Sequence, residues 1–299
     1  MSILGLCYNL NMLSNFNFKD YQLLDAGDKE KLESWKGIIL RRPDPMAIWP
    51  KLHPELWSNV DAVYHRSTSG GGRWEYIKPL KDHWTIKFND LAFKVSPTNF
   101  KHTGLFPEQA YNWQFVYDKI QNSGRNDIKI LNLFAYTGAA TMAASKAGAQ
   151  EVVHVDAAKG MIEWAKENMH INHLDDKVIR YIVDDCLKFM RREIKRGHKY
   201  DGIIMDPPSY GRGPNNELFK FEDKINTLIE TASELLSDNA LFLIVNSYTT
   251  GYSSTVMENI LNAHFKDRGG KIISDELGIP ITNSETFLPC GLTSRWEND

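Results

Sequence analysis

The chain has 299 residues, of which 42% are hydrophobic and 24% are charged, and its formal net charge is −3. This length allows two domains, and the small net charge argues against a protein that coats nucleic acid by charge alone. The three cysteines, Cys7, Cys186 and Cys290, are far apart, so we predict no disulfide framework and no metal site. No stretch approaches 18 consecutive apolar residues, and the start of the chain lacks the features of a signal peptide. We therefore expect no membrane span and a cytoplasmic location.

Residues 16–95 are rich in Trp, Pro and short alternating runs, a pattern typical of a small sheet of short strands. The runs are Trp35–Leu40, Ala62–His65, Trp74–Ile77 and Trp84–Phe88. Turn-forming residues separate them at Arg42–Pro45, Ser69–Gly72 and Phe88–Asp90. We also expect one short helix near Asp28–Ser34. The pattern predicts a small β-rich domain over residues 1–106 that ends in a lid or linker.

From about residue 107 the pattern changes to helices that alternate with buried strands. The predicted helices are Glu108–Gln121, Ala139–Lys146, Lys159–Ile171, Asp185–Arg196, Leu218–Leu236 and Ser253–Phe265. The predicted strands are Lys129–Phe134, Glu151–Asp156, Val178–Val183, Gly202–Met205, Ala240–Asn246, Lys271–Glu276 and Thr286–Leu288. Strands separated by helices indicate an α/β fold in which helices cover both faces of a parallel sheet. We assign this second domain to residues 107–299.

Ligands of such sheets bind beyond the carboxyl ends of the strands, so the residues after each strand are the candidates for function. The first strand runs into Phe134-Ala-Tyr-Thr-Gly138. A glycine at this point lets the backbone approach a ligand closely. The G-x-G-x-x-G pattern that would cradle a pyrophosphate is missing, which favours a nucleoside over a dinucleotide.

Acidic residues end the next two strands. Asp156 can accept hydrogen bonds from a ribose diol, although it can also cap the helix that follows. Asp184 and Asp185 end the third strand, and we favour Asp185 as the acceptor for an adenine amino group. Either of these two acids can instead cap the next helix. We interpret Cys186 as part of the pocket lining.

The fourth strand ends in Ile203-Ile-Met-Asp-Pro-Pro-Ser-Tyr210. Two consecutive prolines stiffen this loop and direct its carbonyl groups outward, which would hold Asp206 at a fixed point. Tyr210 is a candidate for stacking on a planar substrate. Taken alone, Asp-Pro-Pro is also a common turn, and only its place behind three similar strand ends makes it informative.

Residues 102–250 resemble the class I S-adenosylmethionine-dependent methyltransferases, and most of all the family of ribosomal RNA large-subunit methyltransferase I. The resemblance rests on His102–Gln109, Leu131–Gly138, Val155-Asp156, Asp184-Asp185 and Asp206–Ser209. It implies a Rossmann-like domain with a mostly parallel seven-stranded sheet, S-adenosylmethionine as the cofactor, and methyl transfer to RNA. The segment His102–Gln109 would form a lid over the cofactor, although it also fits an interdomain linker with a proline that starts a helix.

The resemblance also implies contacts from Phe134, Tyr136, Gly138, Asp156, Asp185 and Asp206, and the other residues of the lid segment and of the strand ends complete the expected site. Expected cofactor contacts are Thr103, Gly104, Phe106, Pro107, Gln109, Asn132, Phe134, Tyr136, Thr137, Gly138, Asp156, Ala157, Asp184, Asp185 and Cys186. The expected catalytic residues are Asp206, Pro207, Pro208 and Tyr210. No metal is implied.

Two features depart from relatives of this family. The segment after the fifth strand reads Asn246-Ser-Tyr-Thr249, so the cysteine that 5-methylcytosine enzymes place there is missing and we do not expect a cysteine nucleophile. The RNA-binding domain found at the start of some relatives is not recognisable, and we interpret the Trp-rich segment mainly as core and only secondarily as a platform for bases.

Several alternatives stay open. The acceptor can be a small molecule or a protein, or the chain can bind the cofactor without turnover. An NAD-dependent oxidoreductase is disfavoured by the single glycine. Two groups of basic residues can be solvated surface or RNA contacts. They are Arg191, Arg192, Lys195, Arg196, His198 and Lys199, and Arg41, Arg42, Arg66 and Arg73. Association into a homodimer is also left open.

Overall fold

The computed structural model of the chain describes residues 12–14, 17–67, 71–98, 101–212, 218–249 and 251–298. Most of the apolar opening, and half of the expected turn at Ser69–Gly72, lie outside the described residues. The first strands are β1 Met12–Leu13, β2 Tyr21–Gly27, β3 Glu30–Trp35, β4 Ile38–Pro43, β5 Ala62–Arg66, β6 Gly72–Tyr76, β7 Trp84–Phe88 and β8 Leu91–Val95. Short 3₁₀ helices occupy Pro54–Ser58 and Pro107–Gln109.

The predicted helix near Asp28–Ser34 is wrong. Strands β2 and β3 form an antiparallel hairpin, and β3 pairs on its other side with β4. The turn of the hairpin places Asp28 and Lys29 at positive φ, 51° and 64°, as tight hairpin turns require. Leu32 and Trp35 of β3 are fully buried. Pairing on both edges therefore overrides the helical tendency of this charged segment.

Strands β2 to β6 form one five-stranded sheet in that order, and β7 and β8 form a separate hairpin. The N-terminal region is therefore rich in β-structure, as predicted. Its core continues into the second half of the chain, because Phe18, Trp35 and Phe93 pack in one cluster with Trp113 and Met142. The tryptophans of this region are mainly part of that core or packed against it. The division at residue 106 stays a prediction.

The rest of the chain alternates helices and strands. Its helices are α1 Ala110–Asn122, α2 Ala139–Lys146, α3 Lys159–Ile171, α4 Cys186–Lys195, α5 Phe221–Leu235 and α6 Ser254–Phe265. Its strands are β9 Lys129–Leu133, β10 Glu151–Asp156, β11 Ile179–Val183, β12 Gly202–Met205, β13 Tyr210–Arg212, β14 Leu218–Lys220, β15 Phe242–Ser247, β16 Lys271–Pro280 and β17 Phe287–Glu297. The helix predicted from Leu218 begins only at Phe221, because β14 pairs with β13 in a small hairpin.

The large sheet has the strand order β1-β16-β17-β15-β12-β9-β10-β11. The five strands from β15 to β11 are parallel, and β17 is antiparallel to both of its neighbours. Side chains of α4, α5 and α6 pack on one face, and those of α1 and α2 pack on the other. The predicted α/β, Rossmann-like, mostly parallel seven-stranded sheet is confirmed, with the two-residue β1 added at one edge. No helix among the described residues combines the length and apolarity needed to cross a bilayer.

Candidate functional site

The carboxyl ends of β9, β10, β11 and β12 open into one cavity of about 1060 Å³. Parallel strands place these ends at the same edge of a sheet, which is why residues distant in sequence meet here. Many of the predicted site residues line the cavity: Phe106, Pro107, Phe134, Tyr136, Asp156, Ala157, Asp185, Cys186, Asp206, Pro207 and Pro208. The volume is ample for a nucleoside together with part of a second ligand.

The loop after β9 has an unusual backbone. Phe134 and Tyr136 adopt positive φ, 54° and 51°, a conformation that costs free energy for residues with side chains and is concentrated at functional sites. Gly138 follows at φ 84°, and an added Cβ would lie 3.1 Å from the Cβ of Ala165. The Tyr136 N–H donates to Oδ2 of Asp156 at 2.8 Å, which joins the ends of β9 and β10.

The contacts of Asp156 fit both of its predicted roles, as a contact to a ribose and as a cap of the helix that follows. Its Oδ1 accepts a hydrogen bond from the Ala158 N–H at 2.8 Å, as a residue that orders the start of α3 would. Burial raises the pKa of Asp156, although the N–H groups of Ala158 and Tyr136 oppose this shift. A carboxylate oxygen can accept two hydrogen bonds, so each oxygen retains capacity for a hydroxyl of a ribose.

The two acids after β11 point to different partners. Asp185 caps α4 by accepting from the Lys188 N–H at 2.8 Å, and it also lines the cavity. Asp184 forms an ion pair with Arg192 and does not line the cavity. The geometry therefore favours Asp185 over Asp184 as the residue that faces a ligand.

Cys186 is buried at the start of α4, and its Sγ accepts from the Phe134 N–H at 3.3 Å. Burial raises the pKa of this thiol well above its usual value. A protonated, buried thiol is a poor nucleophile, so Cys186 acts as pocket wall.

The segment from His102 to Gln109 lines part of the cavity and is anchored to the loop after β9. The hydroxyl of Thr137 donates to the carbonyl oxygen of Gly104 at 2.6 Å. Gly104 has φ 91°, and an added Cβ would lie 2.3 Å from a ring carbon of Trp164. Thr103 is completely buried beside it. These three residues position the segment, while Phe106 and Pro107 form the part that lines the cavity.

Four other predicted residues line a smaller adjoining cavity of about 50 Å³, namely Gln109, Asn132, Thr137 and Gly138. Polar side chains connect its walls. Gln109 donates to the Tyr248 hydroxyl at 2.7 Å, and Asn246 donates to Gln109 Oε1 at 3.1 Å. Asn132 donates to Thr141 at 2.9 Å. A buried polar group without a partner costs free energy, so these hydrogen bonds hold the walls of the smaller cavity in fixed positions.

Asp206 carries a buried polar atom that faces the cavity without a partner. Its Oδ1 is buried and has no hydrogen-bond partner among the described residues. Burial, followed by the negative charge of Glu108, raises the pKa of Asp206 to about 7, against a hydrogen bond from Asn246. A half-ionised carboxyl group near neutral pH can exchange a proton with a ligand.

Tyr210 is placed differently from the rest of its motif. It begins β13, its side chain is 59% exposed, and it does not line the cavity. Pro207, Pro208 and Ser209 do line it. The structure therefore brings the first four residues of the motif to the site and leaves Tyr210 outside its lining.

The wall opposite the strand ends, here called the opposite wall, comes largely from the N-terminal sheet and from β16 and β17, and sequence reasoning had named only Arg42 from it, as a possible RNA contact. Its polar residues are Lys31, Arg42, Asp44, Lys101, Glu108, Glu276 and Cys290. Arg42 forms two hydrogen bonds with the buried carboxylate of Glu33, at 2.6 and 2.7 Å. Although burial opposes it, the charges of Arg42 and Lys31 hold the pKa of Glu33 down to about 2. Only the grouping of opposite charges on β3 and β4 hinted at this pair.

Cys290 is the second cysteine of the cavity. It lies on β17, far in sequence from the position after the fifth strand where a cysteine was sought. Burial and the negative charge of Glu108 raise the pKa of Cys290 well above its usual value. The chain thus has a thiol at the cavity, held in its protonated form.

A profile of the S-adenosylmethionine-dependent methyltransferase family matches residues 60–265, and the chain belongs to this family. It is 35% identical to a methyltransferase of this type from Agrobacterium tumefaciens, whose crystal structure superposes with a TM-score of 0.92 over 96% of this chain and 93% of that one. The fold is shared with SMU.776, solved in complex with S-adenosylhomocysteine, at 20% identity and a TM-score of 0.72 over 93% of this chain and 75% of that one.

Two curated relatives are named ribosomal RNA large subunit methyltransferase K/L. The protein of Shewanella frigidimarina is 36% identical over 60% of this chain and 23% of its own length. That of Colwellia psychrerythraea is 30% identical over 50% of this chain and 20% of its own length. The chain thus spans about a quarter or less of the length of these relatives.

Proposed function

We propose that this methyltransferase transfers the methyl group of S-adenosylmethionine to a nitrogen of an RNA base. The observation that carries the proposal is the carboxyl group of Asp206. Its buried Oδ1 has no partner among the described residues, it lines the cavity, and its pKa of about 7 suits proton transfer near neutral pH.

The wall at the ends of β9, β10 and β11, here called the cofactor wall, has residues that fit a nucleoside. Asp156 would hold the ribose hydroxyls and Asp185 the adenine amino group, between apolar walls formed by Phe134, Cys186 and Leu187. The first N–H groups of α4 have no partner within their helix, so that of Cys186 can donate to a ring nitrogen. Bound S-adenosylmethionine supplies a methyl group already activated on a positively charged sulfur.

The contribution of the chain is then to position the acceptor and to remove a proton. A nitrogen–carbon bond forms as the carbon–sulfur bond breaks, and the electron pair of the broken bond stays on sulfur. The acceptor amine loses one proton, which Asp206 Oδ1 can accept when the carboxyl group is ionised. Correct orientation of such a pair can lower the barrier by up to roughly 7–11 kcal/mol.

The loop after Asp206 supports this geometry. Pro207 and Pro208 have no N–H group, so this part of the loop offers only carbonyl acceptors to an amine. We propose no nucleophilic role for Cys186 or Cys290, because both thiols are held protonated. Stacking of a base on Tyr210 would have to occur outside the lined cavity, and undiminished turnover of Tyr210→Ala would exclude it.

An RNA acceptor is supported by the names of the curated relatives, which cover half or more of this chain. A base inside folded RNA would first have to leave its stack to reach Asp206. The cytoplasmic location and the homodimer remain predictions from the sequence.

The proposal is tested by transfer of a radiolabelled methyl group into total RNA, a metabolite extract and a protein extract. We expect label in RNA, with a rate that falls as the pH is lowered through about 7, because protonated Asp206 cannot accept a proton. Asp206→Asn should reduce the rate by about 100-fold or more while calorimetry shows unchanged binding of S-adenosylhomocysteine.

Glu276→Gln is a matched control, since it removes a different carboxylate of the same cavity. Label only in metabolites or protein would overturn the RNA acceptor. An Asp206→Asn rate equal to that of the wild type would overturn the role of the carboxyl group.

A further inference from the structure

Three positive charges line the part of the cavity that faces away from the cofactor wall, those of Lys31, Arg42 and Lys101. A fourth residue, Arg66, does not line the cavity, but its charge acts on Lys101. Lys31 lies 3.3 Å from a carboxylate oxygen of Asp44, and Arg42 is bonded to Glu33. The charges of these first two are therefore offset by the protein itself.

Lys101 is different. Its side chain lines the cavity, and its ammonium group has no hydrogen bond or ion pair with any described residue. Burial, followed by the charge of Lys31 and then those of Arg42 and Arg66, lowers the pKa of Lys101 against the attraction of Asp44. Its backbone is held in place, because its carbonyl oxygen accepts from Arg42 at 2.7 Å. Lys101 is therefore a cation near other cations, with no counterion among the described residues.

Unpaired positive charge continues from Lys101 to the surface. Arg66, at the end of β5, is exposed and has no partner among the described residues. Arg73 on the neighbouring strand β6 is also exposed and unpaired within the described chain. Arg41, by contrast, makes two hydrogen bonds of 2.8 Å with Glu30. Of the four arginines noted in this region of the sequence, two are neutralised and two have no partner among the described residues.

The other basic group of the sequence is largely paired. On and after α4, Arg192 pairs with Asp184, and both Arg196 and His198 pair with Glu193. Arg191 lines the cavity but lies in α4, on the side of the cofactor wall. Among the described residues, the cations without a partner near the opposite wall are therefore concentrated at Lys101 and Arg66.

We propose that Lys101 and Arg66 form a binding site for a phosphate group of the acceptor RNA, next to the nucleotide whose base enters the cavity. This proposal rests on the proposed function and names how that acceptor is held. A phosphate oxygen would supply the counterion that Lys101 lacks, and a phosphate contact fixes register without reading sequence. The neutral His102 beside it, whose pKa burial and then the charges of Arg42 and Lys101 lower to about 3, adds no charge of its own.

The test measures binding of a fluorescently labelled single-stranded RNA oligonucleotide to the protein saturated with S-adenosylhomocysteine, at several KCl concentrations. Each phosphate contact contributes a slope of about 0.7 to the dependence of log affinity on log salt for single strands. We expect Lys101→Met to weaken binding about tenfold and to reduce that slope by about 0.7. Arg66→Met should have a smaller effect in the same direction, and Lys101→Arg should retain most of the affinity.

Lys146→Met is the matched control, because Lys146 is exposed at the end of α2 and does not line the cavity. It should leave both affinity and slope unchanged. Thermal unfolding of Lys101→Met should match or exceed that of the wild type, because no ion pair is lost. Wild-type affinity and slope in Lys101→Met, or losses seen in Arg191→Met instead, would overturn the site.

Inorganic phosphate serves as an independent probe. It should compete with the oligonucleotide for the wild-type protein and compete much less for Lys101→Met; equal competition would overturn the site. If no RNA becomes methylated but this difference holds, the proposed function fails and the anion site stands. If RNA is methylated and the difference is absent, the proposed function stands and the anion site fails.

Discussion

The two walls of the cavity are built by different means. On the cofactor wall, carboxylates such as Asp156 and Asp185 accept hydrogen bonds from backbone N–H groups at strand and helix ends. On the opposite wall, side chains pair with side chains, as Glu33 does with Arg42. The first arrangement depends on where the chain turns, and the second depends on which charges two neighbouring strands carry. A substitution that removes a charge should therefore reduce the stability of the protein less on the cofactor wall than on the opposite wall.

The largest effect should follow from Glu33→Gln, which leaves the charge of buried Arg42 without compensation. Removal of one partner of a buried ion pair typically costs about 3–5 kcal/mol in the free energy of unfolding. Because the pKa of Glu33 is held near 2, its stabilising contribution is present above the usual pKa of a glutamate and is lost as the pH falls toward 2. Chemical denaturation at pH 7 measures the loss.

Glu30→Gln is the control for this variant. Glu30 pairs with Arg41 on the same two strands, but both side chains are partly exposed. Exposed pairs contribute about 1 kcal/mol or less, so this variant should remain close to the wild type. Equal losses in the two variants would show that burial of the Glu33–Arg42 pair is not what holds the opposite wall.

A smaller effect is expected on the cofactor wall from Asp156→Asn. The amide keeps only one acceptor oxygen, so the N–H group of either Ala158 or Tyr136 loses its acceptor, and the NH2 group in place of the other oxygen cannot accept from a ribose hydroxyl. We expect binding of S-adenosylhomocysteine, measured by calorimetry, to weaken about tenfold, with little change in stability. Asp184→Asn should bind normally, because Asp184 pairs with Arg192 outside the cavity lining. Normal binding by Asp156→Asn would remove this residue from the cofactor site.

The smallest expected effect concerns Glu108, a residue of the opposite wall whose charge acts on Asp206. The negative charge of Glu108 contributes to the raised pKa of Asp206, so Glu108→Gln should lower that pKa. The pH at which methyl transfer is half-maximal should then shift to lower values by a fraction of a pH unit. Glu276→Gln should not shift the profile. A shift to higher pH, or none, would show that Asp206 does not set the acidic side of the profile.

Much of the cofactor wall could be predicted from local patterns. The bounds of α2, α3, β10 and β12 match the predicted elements, and Asp156, Asp185 and Asp206 come to one cavity because each follows a strand of the same parallel sheet. The charged segment at Glu30–Trp35 was the exception, because its strand form depends on two partner strands and a turn with positive φ. Local composition contains no information about such partners.

Over residues 107–299, the amino-acid sequence by itself determined most of the order of strands and helices, the parallel sheet and the acids at its edge. These follow from hydrophobic periodicity and from chain direction, which are local properties. The tertiary structure alone decided that Lys31, Arg42, Lys101 and Cys290 face the same cavity and that Tyr210 lies outside the lining. It also decided that Arg41 is paired while Arg66 has no partner among the described residues. Those facts depend on packing between segments far apart in the chain, and it is this packing that places Lys101, without a partner in the described part of the chain, in the lining of a methyltransferase cavity.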